Sequence, residues 1–230
     1  MGSPGVYSNA VGRFYTRWAG AYDLLASAAP GMGAIRQRGV DWLALDPGET
    51  VVEMGCGTGA NLPYLREAVG PRGRLVGVDL AGGALDRARS RIRRAGWENV
   101  TLLRGDAARP ALRDADALLA TFVAGMFEDP ERVADRWCDL LAPGGRIVLL
   151  NARRSDHSLA APLNLAFRGF VRLASPGNRL SRSSPARDLE RAVETTQDAV
   201  RARCDTFSRE SLAGGYLTLA SGRVSAFRSD

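Results

Sequence analysis

The fold of this chain is decided at residues 51–61, which read VVEMGCGTGAN. An apolar pattern typical of a strand ends there in three closely spaced glycines, and a helical pattern follows. Glycine lets the backbone approach a ligand without obstruction by a Cβ atom, and the first turn of a helix presents free N–H groups. The stretch therefore predicts a binding turn between a strand and a helix.

Strand and helix patterns alternate around this turn. Apolar strand-like runs occupy residues 51–53, 74–79, 100–103, 115–122 and 146–150, and helical patterns occupy residues 60–69, 83–95 and 130–141. Such alternation produces a parallel sheet with right-handed crossovers and helices on both faces. We therefore predict a doubly wound, Rossmann-like α/β fold.

The two ends of the chain depart from the alternation. Helical patterns cover residues 12–27 and 33–44 before it, and residues 158–174 and 186–201 after it. Residues 203–210 and 215–227 look like two strands with no helix between them, and such strands pair antiparallel. We expect one domain, made of an N-terminal helical cap (1–45), a binding core (46–152), an inserted helical segment (153–201) and a closing hairpin (202–230).

An acidic residue beside the glycines narrows the choice of ligand. Gly55, Gly57 and Ala60 satisfy the dinucleotide pattern G-x-G-x-x-G/A, with Asp79 about twenty residues further on. Glu53, however, stands at the mouth of the loop, where its carboxylate would repel a pyrophosphate. The same carboxylate favours a ligand with an ammonium, a sulfonium and no phosphate, which is the charge pattern of S-adenosylmethionine. A nicotinamide dehydrogenase would require Glu53 to tolerate phosphates.

Two further acids suit the same ligand. Asp79 ends the second predicted strand, where a carboxylate can accept hydrogen bonds from both ribose hydroxyls. Asp106 follows the third predicted strand and can accept a hydrogen bond from the adenine amino group. The alternative for each carboxylate is that it caps the next helix.

Five motifs within residues 12–152 carry a family resemblance. They are Tyr22-Asp23, the loop from Glu53 to Gly59, Val78-Asp79-Leu80, Gly105-Asp106-Ala107 and Leu141-Ala142-Pro143-Gly144-Gly145. They resemble the class I S-adenosylmethionine-dependent methyltransferases, and within them the small-molecule methyltransferases of the ubiquinone and menaquinone biosynthesis type. The resemblance implies a mostly parallel seven-stranded sheet with an antiparallel last strand.

The resemblance also implies a cofactor site. The residues that it assigns to S-adenosyl-L-methionine are Glu53, Gly55, Cys56, Gly57 and Thr58 around the methionine part, Asp79 and Leu80 at the ribose and adenine, Asp106 and Ala107 at the adenine rim, and Thr121 facing the acceptor. Family members keep their acceptor specificity in the region that corresponds to residues 153–201. We expect residues 158–174, with Phe167 and Phe170 on an apolar face, to form a lid over the acceptor, and an extra helix packed on the sheet is the alternative.

Methyl transfer from a sulfonium is an in-line displacement, so a protein contributes mainly by holding the acceptor and the methyl group in line. A base is needed only for acceptors such as phenols and carbon acids. His157, the only histidine, and Tyr22 are the candidates. His157 also fits an exposed loop residue beside Asp156, and Tyr7 and Tyr15 are further alternatives, so the catalytic residue stays open.

The positive charge is weak evidence for a nucleic-acid partner. The formal net charge is +6, but all 31 basic residues are arginines, which is typical of GC-rich coding. The arginines of residues 87–94 spread over the solvated side of a helical pattern. Residues 121–124 read TFVA, unlike the Asp/Asn-Pro-Pro-aromatic motif of nucleic-acid amine methyltransferases. We expect a small, apolar or aromatic acceptor and no nucleic acid. An RNA methyltransferase and a non-catalytic cofactor-binding protein of the same fold remain the alternatives.

The cysteines and the hydropathy bear on the compartment. Cys56, Cys138 and Cys204 are widely spaced, which predicts reduced thiols and no metal site. No stretch reaches the roughly 18 apolar residues of a membrane span. We expect a cytoplasmic protein, for which transient contact with a membrane surface and the oligomeric state stay open.

Overall fold

The computed structural model describes residues 31–155 and 185–226, which build a seven-stranded sheet. The strands are β1 (Thr50–Met54), β2 (Arg74–Asp79), β3 (Val100–Arg104), β4 (Ala115–Thr121), β5 (Leu141–Ala152), β6 (Cys204–Leu212) and β7 (Leu217–Val224). Their order across the sheet is β3-β2-β1-β4-β5-β7-β6. The pairs among β1 to β5 are parallel, whereas β7 pairs antiparallel with both β5 and β6. The predicted sheet, with its antiparallel last strand, is confirmed.

Helices connect the strands as the alternation predicts. The α-helices of the described residues are α1 (Met32–Asp41), α2 (Leu62–Val69), α3 (Gly82–Ala95), α4 (Pro130–Leu140) and α5 (Pro185–Ala202), with short 3-10 turns at Ala124–Met126 and Ala213–Gly215. Local chemistry sets their ends. The Asp129 side chain accepts a hydrogen bond from the Arg132 N–H at 3.1 Å to start α4, and Gly96, at φ 65°, ends α3 in a left-handed conformation.

Apolar side chains pack on both faces of the sheet. One hydrophobic cluster contains Trp137 of α4 together with Met54 and Leu149, and a second contains Leu62 of α2 together with Leu119. Trp137 is fully buried, and its indole N–H donates a hydrogen bond to the Ala107 carbonyl at 2.8 Å. Burial of the indole N–H without a hydrogen-bond partner would be unfavourable. The bond to Ala107 satisfies this N–H and also connects α4 to the loop after β3.

Some strand limits differ from the sequence expectation. β5 begins at Leu141 rather than at 146, because Leu141 already pairs with Ala115 of β4. The register then shifts, and regular pairing resumes between Arg146 and Ala117. β4 ends at Thr121 rather than at 122, because Phe122 adopts φ 59°, which a strand cannot accommodate. The helix expected over 33–44 ends at Asp41.

An ion pair holds the end of β5 against α5. Arg154 donates to both Glu190 carboxylate oxygens from its side chain, with an Nη2 to Oε2 distance of 2.6 Å, and its backbone N–H donates to Oε1 at 2.8 Å. Burial would raise the pKa of the Glu190 carboxyl, but the hydrogen bonds from Arg154 outweigh it and lower that pKa. The pair therefore fixes the two points of the chain that flank residues 156–184.

The helices expected over 12–27 and 158–174 lie outside the described residues. Among the described helices, none is both long and apolar enough to cross a membrane. The division into a cap, a core, an insert and a hairpin stays a prediction.

Candidate functional site

The candidate site lies where the strand order reverses. β1 and β4 are neighbours, and the sheet continues through β2 on one side and through β5 on the other. In doubly wound sheets the ligand crevice forms at the carboxyl ends of the strands at this point. The glycine loop (residues 55–59) follows β1, and Thr121 ends β4, so both lie there.

All three glycines of this loop have positive φ, at 67° for Gly55, 54° for Gly57 and 77° for Gly59. A Cβ atom on Gly55 would lie 2.9 Å from a methyl group of Val123, and one on Gly59 would lie 2.5 Å from a methyl group of Leu62. A Cβ atom on Gly57 would meet no described atom within 4 Å. Gly55 and Gly59 are therefore required by packing, whereas Gly57 faces space that a ligand can fill.

Glu53 is a buried carboxylate of which only one oxygen accepts a hydrogen bond from the described residues. Its residue is 1% exposed, and Oε1 accepts a hydrogen bond from Asn61 Nδ2 at 2.6 Å. Oε2 is buried and has no hydrogen-bond partner among the described residues. Burial raises the pKa of this carboxyl from 4.5 to about 7, although the Asn61 hydrogen bond and the Arg36 charge both act to lower it. A cationic group of a ligand would satisfy Oε2 and stabilise the ionised form.

Two residues that the sequence did not single out complete this part of the site. Asn61 Nδ2 also donates to Thr121 Oγ1 at 2.9 Å, and Asn61 Oδ1 accepts from Arg36 Nη1 at 2.8 Å. Arg36 is 7% exposed, and its guanidinium carbon lies 6.0 Å from the centre of the Phe122 ring. Asn61 lies within the stretch VVEMGCGTGAN, so the sequence could have indicated it as a site residue. Nothing in the sequence pattern of α1 indicates a buried arginine.

Asp79 holds the glycine loop and the start of α3 together. Its Oδ2 accepts from the Gly57 N–H at 2.8 Å, and its Oδ1 accepts from the Ala81 N–H at 2.8 Å. Burial raises the pKa of this carboxyl. Asp79 does not cap α3, because Ala81 is the N-cap residue and no side chain accepts from the first N–H groups of the helix. Each oxygen of Asp79 keeps a second lone pair for another donor. Binding of ribose by Asp79 and the adjacent Leu80 stays a prediction.

The loop after β3 has a similar construction. Asp106 Oδ1 accepts from the Ala108 N–H at 2.9 Å, while the Ala107 and Ala108 carbonyls accept from Trp137 and Arg136 of α4, both at 2.8 Å. The loop is therefore held in place by α4 rather than by its own residues alone. An adenine contact at Asp106 and Ala107 stays a prediction.

The remaining loop residues, Cys56 and Thr58, are buried. Burial raises the pKa of the Cys56 thiol well above its usual range, and the Glu53 and Asp79 carboxylates add to this effect. A neutral, buried thiol is not a nucleophile, so Cys56 belongs to the wall of the site. Cys56, Cys138 and Cys204 are all free thiols.

The structure thus brings most of the predicted cofactor residues into one row along the strand ends. Asn61 joins Glu53 to Thr121, Asp79 binds Gly57 directly, and Asp106 follows the neighbouring strand β3. His157 and Tyr22, with Tyr7 and Tyr15, lie outside the described residues. Within residues 31–155 and 185–226, no group of three acidic, histidine or cysteine side chains could hold a metal ion.

Comparison with known proteins agrees with this arrangement. A family model described as a methyltransferase domain matches residues 51–145. The nocamycin O-methyltransferase of Saccharothrix syringae is 34% identical over 137 residues, which cover 59% of this chain and 48% of that protein. The phosphatidylethanolamine N-methyltransferase of Cereibacter sphaeroides is 31% identical over 168 residues, covering 70% of this chain and 77% of that protein. A solved structure of a SAM dependent methyltransferase from Aquifex aeolicus is 15% identical, with a TM-score of 0.63 over 90% of this chain and 98% of that one.

The fold and the glycine loop define a Rossmann-like protein of the methyltransferase type. The chain belongs to the class I S-adenosylmethionine-dependent methyltransferase family. It spans about half the length of several curated relatives, the nocamycin enzyme among them.

Proposed function

We propose that this protein binds S-adenosylmethionine at the glycine loop and transfers its methyl group to a small, apolar or aromatic acceptor. The observation that carries the proposal is the Glu53 carboxylate, which is buried with one oxygen unpaired at the reversal point of the sheet. An unpaired buried oxygen costs about 1–3 kcal/mol, so a ligand ammonium that pairs with it gains both charge attraction and relief of this cost.

The described residues fit the rest of the cofactor. Gly57 leaves open space beside the loop, and the second lone pairs of the Asp79 carboxylate suit the ribose hydroxyls. Asp106 suits the adenine amino group, and Thr121 lies on the acceptor side, joined to Glu53 through Asn61. A pyrophosphate in place of the methionine part would meet the Glu53 carboxylate unfavourably.

When bound, S-adenosylmethionine supplies a methyl group on a positively charged sulfur. The chain contributes by orienting the two reactants and by excluding water, and neither task requires a covalent intermediate with the protein. His157 and Tyr22 remain our candidates for a base where the acceptor must lose a proton. We assign acceptor binding to residues 153–201, which include the proposed lid.

The names of the two relatives support a small acceptor without fixing its reactive atom. One is an O-methyltransferase of nocamycin and the other an N-methyltransferase of phosphatidylethanolamine. We therefore propose an acceptor of the quinone, lipid or secondary-metabolite type. The site is compatible with transfer to carbon, nitrogen or oxygen.

RNA is the competing acceptor, and the arginines of α3 are the observation in its favour. Arg87, Arg89, Arg93 and Arg94 are exposed, and Arg89 pairs with Asp86 of the same helix at 2.7 Å. Part of this charge is thus neutralised locally. Non-specific binding through such arginines weakens steeply with salt, which separates it from an acceptor site.

The proposal is tested by calorimetry and by a transfer assay on the full chain. We expect binding of S-adenosylmethionine and S-adenosylhomocysteine and no comparable binding of NAD. Radioactive methyl transfer is then measured to quinones, phenols, an amine-containing phospholipid and a transfer RNA at physiological salt. Tighter binding of NAD than of S-adenosylhomocysteine would refute the cofactor, and exclusive labelling of the RNA would refute the acceptor class. Cofactor binding without transfer to any acceptor would favour a non-catalytic protein.

A further inference from the structure

One buried side chain connects three elements around the candidate site. The Asn61 amide meets Arg36 from α1, Glu53 from β1 and Thr121 from β4, at distances of 2.8, 2.6 and 2.9 Å. Arg36, Asn61 and Glu53 are each less than a tenth exposed. Buried polar networks of this kind are stable only when their members are satisfied, so each bond restricts the others.

The partners of Asn61 determine the orientation of its amide. A guanidinium can only donate, so it faces the amide oxygen, and a carboxylate accepts from the amide nitrogen. With both N–H groups used by Glu53 and Thr121, the Asn61 side chain cannot rotate without losing all three bonds. Glu53 Oε1 is thereby fixed, while Oε2 stays buried without a hydrogen-bond partner among the described residues.

Arg36 supplies the positive charge on this side of the network. Among the described residues, the Asp79 carboxylate opposes Arg36 by raising the pKa of Glu53. The nearby Cys56 thiol adds no charge, because burial keeps its pKa well above the usual range. The Arg36 charge lowers the pKa of Glu53 and opposes burial. Without Arg36, the Glu53 carboxyl would take up a proton at a higher pH and lose its attraction for an ammonium.

We infer that Asn61 and Arg36 are positioning residues of the cofactor site, which keep the Glu53 carboxylate oriented and charged and thereby link cofactor affinity to the docking of α1. The inference rests on the proposed binding of the cofactor beside Glu53. It assigns to α1 a role in cofactor binding, even though neither Asn61 nor Arg36 needs to touch the ligand.

The test separates the charge of Arg36 from its size. The dissociation constant of S-adenosylhomocysteine is measured by calorimetry between pH 6 and pH 8.5 for the wild type, Arg36→Gln and Arg36→Lys. Arg38→Gln is the matched control, because Arg38 lies on the same helix but makes an exposed ion pair with Glu210. Urea unfolding of each variant separates loss of affinity from loss of fold.

We expect the wild-type affinity to increase with pH and to level off above the pKa of Glu53, which is about 7. Arg36→Gln should move the midpoint of this profile upward by roughly one pH unit, because an opposite charge close to a carboxyl lowers its pKa by about that much or more. At pH 6.5 this corresponds to roughly tenfold weaker binding, which recovers at pH 8.5. Arg36→Lys and Arg38→Gln should keep the wild-type midpoint.

Asn61→Leu is expected to weaken binding at every pH, because the carboxylate loses its orientation as well as its hydrogen bond. A midpoint in Arg36→Gln no different from that in Arg38→Gln would overturn the role of Arg36. Asn61→Leu with unchanged affinity and reduced stability would overturn the role of Asn61. If Arg36→Gln does not fold, Arg36→Met, which fills the same space with an uncharged stem, replaces it. Failure of the wild type to bind S-adenosylhomocysteine would instead refute the proposed function.

Discussion

Glu53→Gln should stabilise the unliganded protein at alkaline pH while weakening its binding of cofactor. Burial raises the pKa of the Glu53 carboxyl from 4.5 to about 7, so the folded protein holds this proton more tightly than the unfolded chain does. The proton bound to Glu53 therefore stabilises the folded state. This stabilisation is fully present below pH 4.5 and is lost as the pH rises through 7. At about 1.36 kcal/mol per pKa unit, ionised Glu53 destabilises the fold by ~3 kcal/mol at pH 8 and above. Glutamine carries no such charge and still offers an oxygen to the Asn61 amide.

The assay is urea unfolding of the unliganded wild type and Glu53→Gln at pH 5 and at pH 8. We expect the variant to be more stable by ~3 kcal/mol at pH 8 and the difference to be small at pH 5. The same variant should bind S-adenosylhomocysteine at least roughly tenfold more weakly at pH 8, because the ammonium loses a charged partner. Glu98→Gln, at an exposed glutamate, is the control. An effect on stability that does not change with pH would refute the reasoning from burial.

Three further substitutions test separate parts of the structure. Asp79→Ala should weaken cofactor binding by roughly 2–3 kcal/mol, about 30- to 150-fold by calorimetry, and an unchanged dissociation constant would leave Asp79 only its bonds to the Gly57 and Ala81 N–H groups. Gly57→Ala should lower the free energy of unfolding by only ~1–2 kcal/mol for its positive φ, because the added Cβ meets no described atom within 4 Å. It should nevertheless abolish cofactor binding, and normal binding would show that the ligand lies elsewhere. Asn151→Leu should raise the free energy of unfolding by ~1–3 kcal/mol, since both amide atoms of this buried residue lack hydrogen-bond partners among the described residues. Urea denaturation measures this change, and a less stable variant would contradict it.

The fold was readable from the sequence because its signals are local. Apolar runs, helical periodicity and glycines identified the strands β1 to β5 and the closing hairpin to within a few residues. The start of β5 was missed because Pro143 and Gly144 are typical of a loop, whereas here they lie within a long strand that pairs irregularly. The residue at which such a strand begins depends on its pairing with the neighbouring strand rather than on its own sequence.

The candidate site was readable only in part. Glu53, Gly57 and Asp79 stand next to the glycine pattern or at a fixed distance from it, so the sequence indicates them directly. Arg36 contacts Asn61 across 25 residues, and Asn61 contacts Thr121 across 60. The contact between the buried Arg36 side chain and the Asn61 amide depends on tertiary packing, and the periodicity of the sequence does not predict it. The roles of His157 and Tyr22 stay predictions.

The ion pair between Arg154 and Glu190 has a consequence for how such a protein can change over evolutionary time. It joins Arg154, just after β5, to Glu190 of α5, so the chain on either side of residues 156–184 is held together by residues of the described core. A change in the length or sequence of residues 156–184 leaves this ion pair in place, so the described core can be inherited unchanged while that part of the chain diversifies.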